Sequence, residues 1–375
     1  RWLAAEWARV TPRSALAFGP RAAASWMLLD GRELRRGYLA HDLLLGAGID
    51  DALRDAGWTS GAELARWARL RERAAVLGAA PTATIATTGC CFPGIVWDAA
   101  LGAAEATRAV REVIAQVIAL ARRASAAVVA VANVPDDAAF APLGTALAEL
   151  GLIRAASAPD TELAVPAGGL DAYLAAMTTA IRRERRDFLR AVDRVVVEDG
   201  SRLRAPDLVP LLTAQRGKYG HGDGEAAFRD RLTRVSSLGD AVRVVVAEAS
   251  GRAVGFTALV RDPDTRRLVP RLFACAPDHA FAYFNLGYYE PVRLAAACGL
   301  SAIALGTTAY RAKLSRGARL RPRSTWLAPL DDGLRGLLAE AAAYRSDLEA
   351  ARRDALAGVQ RELPPARPLP AMELT

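Results

Sequence analysis

Along the second half of the chain the spacing of apolar positions changes several times. From Gly169 to Val192 the apolar residues recur at helical spacing, with Leu174, Met177, Ile181, Phe188 and Val192 on one face. Helical stretches over about 206–219 and 225–236 follow. Alternation then takes over, and 241–249, 254–260 and 267–275 read as three strands. Ser250-Gly251 and Asp262-Pro263-Asp264 are turn formers between them, so the three predict an antiparallel meander. A helix over 281–298 is stopped by Gly299, and a short strand (301–305), a short helix (309–315) and a last strand (320–327) complete the order. Residues 332–363 return to helical spacing, ahead of a Pro-rich tail.

The first half repeats this order more faintly. Strand patterns at 22–29 and 82–97 precede a helix (103–125), a strand (127–132), a helix (137–150) and a closing strand near 161–165. The repeat is one of topology, not of residue identity. It predicts two copies of one α/β domain, at 1–167 and 168–330, joined near Ala167-Gly168-Gly169 and followed by a C-terminal helix and tail at 331–375. Pro270 falls inside the third strand of the second meander, and Pro93-Gly94 interrupts its counterpart. A proline cannot donate to a sheet ladder, so each such strand is an edge or splays from its neighbour.

Composition narrows the class. With 375 residues, 52% hydrophobic and 24% charged, the chain is a folded protein of about two domains rather than a disordered one. The best candidate for a membrane span, Val113–Ala132, is broken by Arg122 and Arg123, and no uncharged apolar run comes near the roughly 18–20 residues a span needs. No basic-then-apolar leader is recognisable, which makes a cytoplasmic location the expectation. A net charge of +8 favours an anionic partner, a phosphorylated co-substrate or a tRNA. No helix-turn-helix or zinc-finger spacing supports sequence-specific DNA binding. Cys90, Cys91, Cys275 and Cys298 form no Cys-x-x-Cys pair, and with His41, His221 and His279 they offer no metal set. Of 49 basic residues only Lys218 and Lys313 are lysine, leaving 47 arginines. A lysine in such a chain marks a place where a compact ammonium does what a planar guanidinium cannot.

Three antiparallel strands, a helix, a strand, a helix and a strand form the core order of the GNAT superfamily of N-acyltransferases. The stretch Tyr283-Phe284-Asn285-Leu286-Gly287-Tyr288-Tyr289-Glu290-Pro291, then Gly299-Leu300, then Gly306 with Ala309-Tyr310, Lys313 and Arg316-Gly317, resembles the C-terminal signature of a tandem GNAT family. Its members are described as peptidoglycan- or cellulose-biosynthesis-like acyltransferases, related to the Fem-type aminoacyl-tRNA transferases. Ile181-Arg182-Arg183-Glu184-Arg185-Arg186 is similar to that family's basic helix. The resemblance implies two tandem GNAT-like domains, each a mixed, largely antiparallel sheet flanked by helices. The expectation is that the second carries the chemistry and that the first has lost activity and shapes the acceptor pocket. It implies no tightly bound cofactor and an acyl-CoA or aminoacyl-tRNA co-substrate. Two departures stand out. Ala276-Pro277-Asp278-His279-Ala280 lacks the glycines of an acetyl-CoA pyrophosphate loop, and Asn285 stands where relatives carry an acidic residue.

Acyl transfer to an amine needs a polarised carbonyl, a neutral amine, a proton for the leaving group and a cation for the donor's anionic handle. Tyr288 or Tyr289 is the expected general acid, the alternative being an aromatic pair that packs the helix. Lys313 and Arg316, three apart on one helix face, are the expected anion clamp with the backbone around Thr307-Thr308, next to Tyr310. Arg182, Arg186, Arg190 and Arg194 form a solvent stripe, whereas Arg185 falls within the apolar face and needs a carboxylate or phosphate partner. Lys218-Tyr219-Gly220-His221 opens a glycine-punctuated loop, either a surface turn or a lid from which His221 takes the amine proton. Three readings stay open. One is transfer from an acyl thioester (coenzyme A or carrier protein) to an amine on a small molecule or peptide. The second is aminoacyl-tRNA-dependent peptide-bond formation, and the third is a non-catalytic binding protein on the same fold.

Overall fold

The computed structural model describes residues 14–29, 40–46, 48–86, 93–217, 224–263, 265–279 and 281–363. Lys218, His221, Cys90, Cys91 and the Pro-rich tail lie outside them. In chain order the strands are β1 (Ser14–Phe18), β2 (Ala22–Leu29), β3 (Thr82–Ile85), β4 (Ile95–Trp97), β5 (Val128–Pro135), β6 (Ile153–Ala164), β7 (Arg194–Asp199), β8 (Val242–Ala249), β9 (Arg252–Asp262), β10 (Arg267–Cys275), β11 (Ala302–Ala304) and β12 (Arg319–Pro329). The helices that matter below are α1 (Ala103–Arg123), α2 (Thr179–Ala191), α3 (Ala282–Phe284), α4 (Glu290–Ala297), α5 (Tyr310–Leu314) and α6 (Arg335–Ala357).

Two compact units emerge, and neither is contiguous. The first runs to Asp160 and takes in Thr307–Tyr310 and Leu320–Val359; the second holds Thr161–Gly306, Arg311–Arg319 and the residues after Val359. In the first unit the sheet order is β1-β2-β3-β5-β12-β6, with β4 also on β2. The ladder is antiparallel from β1 to β3 and parallel between β3 and β5, across the α1 crossover. Side chains of β5 alternate between two apolar layers. Val129 and Val131 face α1 and the Ala141–Glu149 helix, while Val128 and Ala130 face the helices between Ala40 and Ala79 and α6.

The second unit repeats the plan: β7-β8-β9-β10 antiparallel, β10–β11 parallel, and β11 antiparallel to the end of β6. On β8, Val245 and Ala247 face one helical layer, and Val244 and Val246 face the helices Leu208–Gly217 and Glu225–Ser236. Both units are therefore mixed, largely antiparallel sheets with helices on both faces, as the topological repeat predicts.

Several elements differ from the sequence reading. The strand expected to close the second domain, 320–327, is β12 of the first unit. The strand expected to close the first, 161–165, is the end of β6, whose Ala164, Leu163 and Glu162 pair with β11 in the second. The helix expected over 169–192 is two, Gly169–Ala175 and α2. Thr178 adopts extended backbone and its hydroxyl accepts from the Ile181 amide, which starts a new helix. The third strand of the first meander is split into β3 and β4, so the pattern over 82–97 does not form one ladder. No helix among the described residues is long and apolar enough to cross a membrane.

Candidate active site

In the second unit the parallel ladder between β10 and β11 is brief. It joins Arg267 to Ala302 and Leu268 to Ile303 and then stops, while β10 runs on to Cys275 alongside β9. The register of β10 against β9 slips between Pro270 and Leu272, where the proline cannot donate and one extra residue is accommodated. Beyond Leu268 the C-terminal half of β10 therefore pairs with β9 and no longer with β11, and the bulge after Pro270 is the irregularity its position predicts.

The helix that follows passes from α3 through a π-turn, Asn285–Tyr289, into α4. Pro291 explains this local choice. A proline near the start of α4 lacks the N–H for the Gly287 carbonyl, and its ring clashes with that carbonyl in a regular helix; one wider turn upstream removes both conflicts. Gly255 of β9 lets the turn settle on the sheet, since a Cβ there would stand 2.6 Å from Leu286 Cδ1.

The π-turn is held by α2 through two adjacent residues of the basic motif. Arg185 donates from Nη1 to Asn285 Oδ1 (2.9 Å) and from Nη2 to Glu290 Oε1 (2.7 Å), while Arg293 Nε donates to Glu290 Oε2 (2.7 Å). The anion that Arg185 needed is therefore a buried carboxylate of the protein itself. Asn285 also donates from Nδ2 to the Phe281 carbonyl (2.9 Å), so its amide is spent on bridging.

Glu184, next along α2, makes the second link. The Tyr289 hydroxyl donates to it, and Arg316 Nη2 lies 3.1 Å from each of its oxygens. Arg316 Nε also donates to the Tyr289 oxygen (3.3 Å), and its guanidinium lies 3.6 Å from the centre of the Phe284 ring. Tyr173 donates to the Arg316 carbonyl at 2.9 Å. Burial pushes the Tyr289 phenol above its ordinary value, and the Glu184 carboxylate that takes its proton in a hydrogen bond adds to this.

Tyr288 is also buried and raised, first by desolvation and then by Tyr283. The Tyr283 phenol lies beside it, the two ring centres standing 6.2 Å apart. Tyr283 is half-buried and stacks edge-on against Phe273 of β10 (5.3 Å) and Phe284 (5.1 Å). Tyr283 is thus the less buried of the two phenols, and the sequence reading gave it no role.

The expected clamp has a different geometry from the one read off helical spacing. Helix α5 ends at Leu314, so Arg316 lies in the turn beyond it and pairs with Glu184. Lys313 is buried, and its ammonium donates to the carbonyls of Leu305 (2.9 Å) and Gly306 (2.8 Å). Thr161 donates to the Gly306 carbonyl as well. These bonds hold a tight segment in which Gly306, Thr308 and Ala309 all have positive φ. A guanidinium is too broad to sit across two neighbouring carbonyls in this space, which explains a lysine in a chain that otherwise writes arginine. Lys313→Met should cost about 1–3 kcal/mol by leaving buried carbonyls unpaired, and Lys313→Arg a similar amount by crowding. Both would appear as a lower urea midpoint; two unchanged midpoints would remove this role from Lys313.

Thr307 is half-buried and Thr308 exposed, and both belong with Tyr310 to the first unit. There Tyr310 donates to the Pro159 carbonyl (2.7 Å) and lies under the Arg352 guanidinium (4.2 Å), and burial pushes its phenol up to about 12. The segment expected to lack a pyrophosphate cradle, 276–280, is followed by Phe281, whose left-handed backbone and exposed side chain stand at the start of α3, and it contains the exposed Asp278. Neither a side chain nor a carboxylate suits a pyrophosphate there. Among the described residues no group of His, Cys, Asp and Glu is placed to hold a metal ion.

No family model matches the sequence, and no curated protein matches it. Solved structures do. The C-terminal domain (DUF2156) of a protein described as a lysylphosphatidylglycerol synthetase, from Agrobacterium fabrum, superposes with a TM-score of 0.54 over 88% of each chain at 12% identity. FemX superposes with a TM-score of 0.55 over 87% of this chain and 90% of its own, at 9% identity. A tandem GNAT protein from the clavulanic acid biosynthesis pathway matches more loosely, at a TM-score of 0.44 over 87% of this chain and 86% of its own, with 13% identity. At such identities the likeness is one of architecture: over most of its length the chain shares the fold of FemX and of the DUF2156 domain.

Proposed function

We propose that the protein is an N-acyltransferase whose second unit joins an acyl group, delivered as a thioester, to an amine. The observation that carries this reading is the early end of the β10–β11 ladder, with β10 running on next to Tyr283 of α3 and the π-turn that bears Tyr288. A parted strand offers backbone groups to a donor's carbonyl and amides, and the adjacent phenols offer a proton. In the reaction the neutral amine attacks the thioester carbon, a C–N bond forms and the C–S bond breaks. The amine gives up one proton to solvent water, the departing thiolate takes one from Tyr283, and Tyr283 regains a proton from solvent, so one proton passes in net from nitrogen to sulfur. Glu184, Tyr289 and Arg316 keep the π-turn in place and have no free proton to give, because the Tyr289 hydrogen is committed to Glu184.

The test is amide formation with acyl-CoA, acyl-carrier-protein and aminoacyl-tRNA donors against mixed amines, followed by mass spectrometry. With an active donor, Tyr283→Phe is expected to lower kcat by about 10²-fold or more and Tyr288→Phe by less, each with KM little changed. Turnover that survives both substitutions would defeat the acid assignment. No product from any donor would defeat the enzyme reading and leave a binding protein.

A further inference from the structure

Resting on the acyl-transfer reading, we propose that the transferred acyl group is apolar and larger than acetyl, an aromatic or medium-chain aliphatic acid, rather than an amino acid. Where β10 continues past its ladder with β11, the half-buried side chains packed against the core are Phe273 and Cys275 of β10, Tyr283 and Phe284 of the helix, and Leu305 after β11. Phe273, Tyr283 and Phe284 form a continuous edge-to-face wall, with centroids 5.3 and 5.1 Å apart. Such a wall gains by covering apolar surface and by ring contacts with a planar guest.

An aminoacyl group would bring an α-ammonium next to the reacting carbonyl, and that charge needs a carboxylate in compensation. Two of the carboxylates on the flanking elements are already engaged. Glu184 takes Arg316 and Tyr289, and Glu162, on β6 beside β11, lies 2.8 Å from Arg267. Asp278 stands on the exposed turn beyond β10. Arg316, the cation under the wall, is sealed beneath Phe284 and faces Glu184, so a negatively charged acyl group is not served either.

The transfer balances for any such donor: amine plus thioester gives amide plus thiol, with one proton passing from nitrogen to sulfur. The probes are thioesters of N-acetylcysteamine carrying acetyl, hexanoyl, benzoyl and alanyl groups, which lack any phosphate handle. Calorimetry should give hexanoyl or benzoyl an affinity at least about 10-fold above acetyl, with alanyl no better than acetyl. Phe273→Leu and Phe273→Ala should compress this preference stepwise, while circular dichroism and the urea midpoint report whether each variant folds. Equal binding across the series, or a preference for alanyl, overturns the inference. It would leave the acyltransferase reading intact, because that fails only if no donor yields an amide.

Discussion

Glu290→Ala is expected to cost about 3–5 kcal/mol of folding stability, among the largest single effects in the molecule. The Glu290 carboxylate is 1% exposed and takes hydrogen bonds from two guanidiniums, Arg185 and Arg293, each at 2.7 Å. Arg293 reaches solvent and can rehydrate when its partner goes. Arg185 cannot: it is 8% exposed, and without Glu290 it is left with the Asn285 amide and the face of the Phe188 ring, 5.9 Å away. A buried cation left in that state must be desolvated without compensation or must force the π-turn open. The double variant Arg185→Met/Glu290→Leu removes both charges at similar volume and should recover most of the loss. Urea unfolding of the single and double variants measures the contrast. A single-variant cost below about 1 kcal/mol would mean that the pair is solvated and does not hold the turn.

Raising the pH should unfold the protein through its tyrosines. Desolvation raises Tyr173, Tyr288 and Tyr289 above the ordinary value of 10.0 and pushes Tyr310 up to about 12. Below pH 10 both folded and unfolded chains hold these protons, so the phenols contribute no pH dependence. Above it the unfolded chain releases them first and therefore binds fewer protons. Stability then falls by about 1.4 kcal/mol per pH unit for each phenol still protonated in the folded state. The loss continues until pH passes the folded values, when the contribution is spent. Unfolding free energy should accordingly be flat towards the alkaline side and drop steeply beyond pH 10, with the phenolate absorbance of these four appearing together with loss of structure. Four phenols that titrate near 10 while the fold persists would show that they are hydrated. Tyr288→Phe should make the decline shallower, which ties it to a named group.

The three strands of the second meander were legible in their order and, for β10, in both bounds, because alternation with Pro270 inside it is a local property. Arg185 was legible as an oddity, since a guanidinium at an apolar helical angle demands a partner wherever the helix lies. Lys313 stood out by composition alone. Glu184 was missed although the same angle places it beside that face, between Ile181 and Phe188; a carboxylate there carries the same demand. Tyr283 was passed over because nothing local separates a half-buried phenol from a buried one.

What the sequence determined by itself is the set of elements, their repeat and the places where a residue conflicts with its surroundings, for these follow from spacing and from chemistry within a few residues. Which partner resolves each conflict is a different matter. Glu184 meets Tyr289 across 105 positions and Arg316 across 132, and Arg185 meets Glu290 across 105. The exchange that gives β12 to the first unit and the end of β6 to the second leaves no local trace either, because a strand alternates in the same way whichever neighbour it joins. Those pairings belong to tertiary structure, where the need to compensate buried charge and to fill a ladder is met by whatever the folded chain brings within reach.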